Sequence, residues 1–309
     1  KPLLDQMSNV APRPWRMFMP LALVLLLALL WTIYWLLASG SAKSRFADER
    51  ARLAEQGLEL SCSTEEWGGY PFHFEYTCRS PVATYRHDTT VRSGSLLLVA
   101  LAYAPWQVAA LLDGPTILSG RSLAQLEVTH QRVFSSITFG KTEQPASSTE
   151  LPGLIIPGLG RAGTLMIHTR PSPAGGTDIA GSLTAGSYEP VGKPPVTIDT
   201  GSLMATLTPD LSLRIDSFEL KQGELRYWGS GSLSLDQDRR IAGQINTETN
   251  DIKALLGIVG PQLDLSEGKT SNLVTMLGLL GSTAKAPIIA KDGVLYLGPF
   301  RIAELKPLY

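Results

Sequence analysis

Basic runs, paired metal ligands and the common catalytic motifs are all missing from this 309-residue chain, which has only two cysteines and four histidines. Lys plus Arg (27) and Asp plus Glu (28) nearly cancel, leaving a net charge of −1. No basic stripe or row of interleaved aromatics is present to follow a phosphate backbone, which argues against nucleic acid as a partner. His73, His87, His130 and His168 lie far apart with no ligand-spaced pair, so no metal site is expected. A Gly-x-Ser-x-Gly elbow, a Walker loop and a His-Glu-x-x-His pair are all absent. Acidic residues such as Asp199, Asp210 and Asp216 are scattered and propose no carboxylate pair for acid–base work. The chain reads as non-enzymatic, with no catalytic, cofactor-binding or metal residues.

One short motif is a decoy. Gly158, Gly160 and Gly163 have the glycine spacing of a dinucleotide fingerprint, and Asp178 follows about 20 residues after its start. That fingerprint needs a helix after its last glycine so that amide groups meet the pyrophosphate. TLMIHTRPSP follows instead, β-like and broken by prolines.

Long hydrophobic runs are also scarce, and the single one is the most informative stretch. Met17 to Leu37 contains no charge, and its 21 residues make a helix of roughly 30 Å, the thickness of a hydrocarbon core. Trp15 at one end and Trp31, Tyr34 and Trp35 at the other suit the headgroup zones. A cleaved signal peptide is the competing reading, because small residues at Ala38 to Ala42 offer a cleavage site. The run is longer than a signal h-region of about 7 to 15 residues, which favours an uncleaved anchor. Flanking charges do not orient it: Lys1, Arg13 and Arg16 face Lys43, Arg45, Arg50 and Arg52.

The two cysteines decide the side. LELSCS and FHFEYTCR read as neighbouring strands of a hairpin folded near Tyr70, which sets Cys62 opposite Cys78, and a disulfide closing this loop stabilises by about 3 kcal/mol. Two buried free thiols are the alternative. A disulfide implies an oxidising compartment. The expected organisation is a cytoplasmic tail over 1–16, a transmembrane helix over 17–38, a helical stalk over 39–57 ending at Gly57, and a periplasmic β-rich domain over 58–309. The location implied is a bacterial inner membrane with the bulk of the chain in the periplasm.

Period-two alternation dominates the remainder, so the fold class is β-dominated, an antiparallel meander with minor helices on a single-pass anchor. Phe72, Phe74, Tyr76 and Cys78 alternate with polar residues, Leu96 to Tyr103 reads as a buried strand, and Leu123 to Phe139 as two more. APWQVAALLDGP suggests helical turns stopped at Gly114-Pro115. The Pro-, Gly-, Ser- and Thr-rich segment from Lys141 to Gly163 marks a possible boundary between halves 58–140 and 164–309. From Gly201 to Glu248 the alternation is cleanest, with a one-residue phase slip near Ser217 that signals a bulge. Leu213, Tyr227, Leu233 and Ile245 keep one phase across three strands and form the candidate apolar ligand face. Helical patterns follow over Asp251 to Val259 and Ser266 to Leu280, placed to cover part of that face, and a last hairpin turns at Asp292-Gly293.

GGYPFHFEYTCRSP at 68–81, ALLDGP at 110–115, GSLSLD at 231–236 and the closing DGVLYLGPFRIAELKPL at 292–308 together resemble the bacterial domain of unknown function 2125 family, in order along nearly the whole chain. That resemblance implies a membrane anchor and an envelope-facing domain, and it carries no catalytic residues. The glycine-punctuated strands are more distantly similar to AsmA-type proteins, which implies a hydrophobic β-groove that carries lipid. Two functions stay open. The dry face holds an acyl chain or similar apolar envelope molecule, or it is an ordinary core and the domain serves as an interaction or assembly module for an envelope protein partner.

Overall fold

The structure is a computed structural model that describes residues 15–120, 123–140, 144–262, 275, 284–285, 287–298 and 300–307. Helix α1 (Trp15–Glu55) joins the expected span and stalk into one uninterrupted element, about 60 Å long. Its first half is leucine-rich and exposed all round, and it is long and apolar enough to cross a membrane. Apart from Arg16 in the first turn, its charges lie in the second half. The helix ends where Gly57 takes a φ of 88°, with its amide on the Ala54 carbonyl, as a glycine C-cap should.

Antiparallel strands follow: β1 (Leu58–Ser61), β2 (Thr64–Gly68), β3 (His73–Arg79), β4 (Val82–Tyr85), β5 (Thr89–Arg92), β6 (Ser95–Leu101), β7 (Ala104–Asp113), β8 (Thr116–Gly120), β9 (Leu123–Val128) and β10 (Val133–Thr138). Longer ones come next: β11 (Ala146–Ile156), β12 (Gly160–Pro171), β13 (Thr177–Tyr188), β14 (Val196–Leu207), β15 (Leu213–Gln222), β16 (Leu225–Leu235) and β17 (Ile241–Thr249). After α2 (Ile252–Gln262) come β18 (Ala284–Lys285), β19 (Ile288–Lys291), β20 (Val294–Leu297) and β21 (Phe300–Glu304). One 16-stranded sheet runs from β2 through β3, β6, β7 and β10 and then strand by strand to β21, with β18 beside β17.

Strands β1, β4, β5, β8 and β9 form a second, five-stranded sheet. It arises from a crease. β3, β6, β7 and β10 each break at Ser80-Pro81, Ser93-Gly94, Gly114-Pro115 and 129–132, and the chain beyond each break belongs to the smaller sheet, as when strands switch sheets at a corner. A polar network staples the bend. Ser93 Oγ donates to the Asp113 carbonyl at 2.7 Å, and Ser93, Thr116 and His130 Nε2 are linked at 3.0 and 2.8 Å. The Asp113 carboxylate accepts from Arg132 and Ser95, both at 2.6 Å, and these bonds hold its pKa below the ordinary carboxylate value.

Three expectations are corrected. The Ala104–Asp113 segment is strand β7, not helical turns, because β6 and β10 hydrogen-bond along both of its edges. The segment rich in Pro and Gly between 141 and 163 contains β11 and the start of β12, which continue the ladder from β10. The hairpin partner of β3 is β2 and not β1, whose own partner is β4. The expected helix at Ser266 to Leu280 lies outside the described residues, Thr275 excepted. Other expectations stand: β9 and β10 are the two strands expected over Leu123 to Phe139, the Asp292-Gly293 turn joins β19 to β20, and the register slips where β15 passes Asp216 and Ser217.

The chain exposes 20635 Å². A compact monomer of this length exposes roughly 13,000 Å². The bare half of α1 is one source of the excess. Covered apolar side chains concentrate at the two ends. Phe74, Tyr76, Cys78 and Ala102 are buried near α1, and Ile252, Leu256 and Ala290 near α2. In between, the buried apolar side chains are Ala162, Ala205 and Ile215.

Candidate functional site

Register alone assembles one apolar face. Leu213 pairs with Leu233, Ile215 with Gly231, Phe218 with Gly229 and Leu220 with Tyr227. Ile215 and Phe218 are three apart and could not share a face in a regular strand, so the bulge at Asp216 and Ser217 is what restores the phase. β14 extends the face through Leu203 opposite Phe218 and Leu207 opposite Leu213. β13 adds Leu183 and Ile179, and β12 adds Leu165 opposite Leu183 and Ile167 opposite Gly181. β17 closes it with Ile245 opposite Gly231 and Thr247 opposite Gly229. The four candidate residues therefore lie on one surface, and each is half-buried.

Glycines hollow this surface. A Cβ at Gly229 would lie 2.8 Å from the Phe218 ring and 2.4 Å from the Asn246 carbonyl, and one at Gly231 would lie 2.2 Å from the Gln244 carbonyl. Backbones of β16 and β17 approach too closely for side chains there. The face consequently dips between Tyr227 and Leu233.

At one end the dip opens into a cavity of about 370 Å³, within the range of small-molecule sites. Leu220, Leu225 and Tyr227 form its floor, Ile252, Leu255, Leu256 and Val259 of α2 its roof, and Leu295 and Leu297 part of its wall. α2 is started by Asp251, whose carboxylate accepts the Ala254 amide at 2.9 Å as an N-cap, and Ile252, Leu256 and Gly260 form its buried face. Burial raises the Tyr227 pKa, while its hydrogen bond with Thr247 acts in the opposite direction. Charges stay at the margin: Lys221 pairs with Glu219 at 3.3 Å and Lys285 with Glu248 at 3.0 Å. This is a site for apolar contact, with a phenol and a threonine for orientation.

Of the candidate residues only Tyr227 lines this cavity; Leu213, Leu233 and Ile245 continue the face away from it. The α2 roof was legible as a helical stripe of Ile252, Leu255, Leu256 and Val259. The contributions of Val196 and Ile198 on β14 and of Leu295 and Leu297 were missed, since only tertiary pairing brings them here. A second cavity, about 360 Å³, lies where α1 crosses the same sheet, lined by Tyr34, Ala38, Phe46, Tyr76, Leu98 and Val108 among others.

Cys62 and Cys78 are joined, with their Cα atoms 5.4 Å apart. Cys62 lies in the link between β1 and β2, so the bond ties that link to β3 beneath the aromatic cluster of Phe46, Trp67 and Tyr76, whose centroids are 4.6 to 5.6 Å apart. Gly158 to Gly160 form the turn from β11 to β12, and a strand follows, not the helix a dinucleotide site needs. Among the described residues no three His, Cys, Asp or Glu side chains come together as a metal site.

No curated protein matches this sequence, and no solved structure matches either. A family model described as an uncharacterized protein conserved in bacteria (DUF2125) matches residues 35–306. The chain belongs to that family.

Proposed function

We propose that this member of an uncharacterised bacterial family is a non-enzymatic protein of the inner membrane, held by α1 with its β-domain in the periplasm, and that the apolar face binds a lipid-like molecule in envelope maintenance or transport. One observation carries the reading: a continuous apolar surface spans β12 to β17, only half-buried at Leu213, Tyr227, Leu233 and Ile245, and it leads into an apolar cavity under α2. A sheet serving only as core would need a second layer over this surface, because the part of each side chain left in water forgoes its share of the roughly 1.5 to 3 kcal/mol that full burial contributes. α2 supplies such a layer at one end. The disulfide fits an oxidising compartment, and the exposed first half of α1 fits a bilayer.

The test compares the full-length protein with Leu233→Asp, after both are purified in one detergent and shown by circular dichroism and thiol counting to keep their strands and disulfide. Organic extracts are quantified by mass spectrometry. Lipid held by α1 is common to both, so the difference reads the sheet. A stoichiometric species lost in the variant supports the proposal, and equal lipid content in two folded proteins contradicts it in favour of an interaction module.

A further inference from the structure

The sheet does not stand clear of α1 at the end of its apolar run but is bonded to it well inside that run. Trp31 Nε1 donates to the Pro71 carbonyl at 2.9 Å, the Tyr34 hydroxyl to the Ala102 carbonyl at 2.7 Å, and Trp35 Nε1 to the His73 carbonyl at 3.1 Å. Thr32 and Tyr70 share a hydroxyl hydrogen bond of 2.8 Å. From Arg16 to Trp31 the helix advances only about 22 Å, against a hydrocarbon core of about 30 Å. If Arg16 stays at the near boundary, Trp31 to Trp35 fall in the last 8 Å or so of hydrocarbon, and the loops bonded to them fall there too. Raising the domain clear of the lipid would instead draw Arg16 and Arg13 into the core, which is unfavourable for a charged side chain.

The loops at that level are built for it. Tyr70, Phe72, Tyr103, Trp106 and Phe139 form an aromatic group 52 to 63 % exposed, of which Tyr70 also meets Trp35 edge-on with ring centroids 5.3 Å apart. No charged residue occurs in 68–72 or 101–112; the segment that begins at Phe139 carries Lys141 and Glu143. The loops are also stitched together, with the Ala102 amide on the Phe72 carbonyl at 2.9 Å and the Phe139 amide on the Trp106 carbonyl at 2.8 Å. Backbone carbonyls placed in lipid must find donors within the protein, and α1 supplies them at Pro71, Ala102 and His73. Farther along the same sheet edge Ser172 to Gly176 carries no charge, Thr208 to Ser212 contains Asp210, and Asp236 to Arg240 contains two aspartates and two arginines. Exposed large aromatic side chains occur at the turns beside α1 and not at these three.

We infer that Tyr70, Phe72, Tyr103, Trp106 and Phe139 form a rim immersed in the lipid leaflet on the domain's side of the membrane, so that the bilayer surface is itself a binding partner of the β-domain. The inference rests on α1 being a membrane anchor and adds where the domain sits relative to the lipid. A rim at this depth brings the α1 end of the apolar face to the level of the acyl chains, which is where a lipid-binding sheet would load.

Single-cysteine variants of the full chain, Phe72→Cys, Tyr103→Cys, Leu25→Cys and Val191→Cys, are labelled with an environment-sensitive fluorophore and reconstituted into phosphatidylcholine vesicles with and without chain-brominated lipid. One label per chain confirms that Cys62 and Cys78 stay paired. The expected result is a loss of emission at 72 and 103 approaching that at 25, with none at 191, which lies on the opposite sheet edge and is 87 % exposed. Quenching at 25 with 72 and 103 behaving like 191 overturns the immersed rim and leaves the anchor standing. An unquenched label at 25 overturns the anchor and the rim with it.

Discussion

Strands β3, β6 and β7 beside α1 and strands β12 to β16 in the middle of the same sheet carry equally apolar faces, yet they are finished differently. Beside α1 the helix covers the face and its rings meet those of the sheet, with the cavity of about 360 Å³ left alongside: Trp35 meets Phe74 with ring centroids 5.9 Å apart, Phe46 meets Tyr76 at 4.6 Å, and Arg50 reaches Glu65 at 2.8 Å. Residues 31, 35, 39, 42, 46 and 50 follow one stripe of α1, with Ser39 buried where a larger side chain would hold the helix away. In the middle the face is half-exposed and hollowed by Gly229 and Gly231. Sequence alternation shows which side of a sheet is apolar. What covers that side is decided by elements distant in the chain, and here α1 and α2 take the ends while the described residues leave the centre as a trough.

Substitutions should separate the two regions. Phe74→Ala, at a side chain 9 % exposed in the packed end, is expected to cost about 3 to 5 kcal/mol in denaturant unfolding. Leu203→Ala and Leu213→Ala in the trough, where part of each side chain stays in water, should each cost less, about 1 to 2 kcal/mol. Equal losses at the two places would mean that the trough is filled by packing.

Breaking the disulfide comes next. Cys62→Ser with Cys78→Ser opens a link of sequence separation 16 and is expected to lower stability by about 3 kcal/mol. Limited proteolysis should then cut first between β1 and β3, leaving β12 to β16 intact. Early cleavage in the long strands would show that the packed end holds the trough together.

Much of this contrast was readable beforehand, and the failures have physical causes. Leu213, Tyr227, Leu233 and Ile245 shared a phase because a strand has period two, and the one-residue slip at Ser217 revealed the bulge without any structure. Ala109, Ala110, Leu111 and Leu112 in β7 were misread because alanine and leucine are good helix formers, a local preference that pairing with β6 and β10 overrides. β11 looked like a linker because it carries Pro152 and Gly153, the latter at a φ of 63°, within an otherwise regular strand. Glu65 and Glu66 looked like turn residues, whereas β2 is the edge of the larger sheet, where charge discourages further pairing. Contact between Trp31 and Pro71 could not be read at all, because nothing local places a helix donor against a loop 40 residues away.

The smallest expected effect concerns the crease. Asp113 is held below its ordinary pKa by Arg132 first and Ser95 next. A depressed carboxylate contributes stability above its unfolded pKa and loses it as pH falls through the folded one. Asp113→Asn should therefore lower the Tm slightly at neutral pH, and the gap should close as pH falls through the depressed folded pKa and the wild-type carboxyl is itself protonated. A pH-independent gap between the two proteins would assign Asp113 a packing role.

Tyr227 and Trp228 are neighbours on opposite faces of β16, the first over the cavity and the second beside Arg226, whose guanidinium lies 5.4 Å from its ring centroid. A photoreactive phenylalanine analogue placed at each position in turn, in the full-length protein in its native membrane, reads the occupant of each face directly by the mass of the adduct. A lipid adduct at 227 that is absent at 228 is the predicted result. Adducts at 227 made only with this chain's own peptides, or with another protein, would contradict a lipid-binding face.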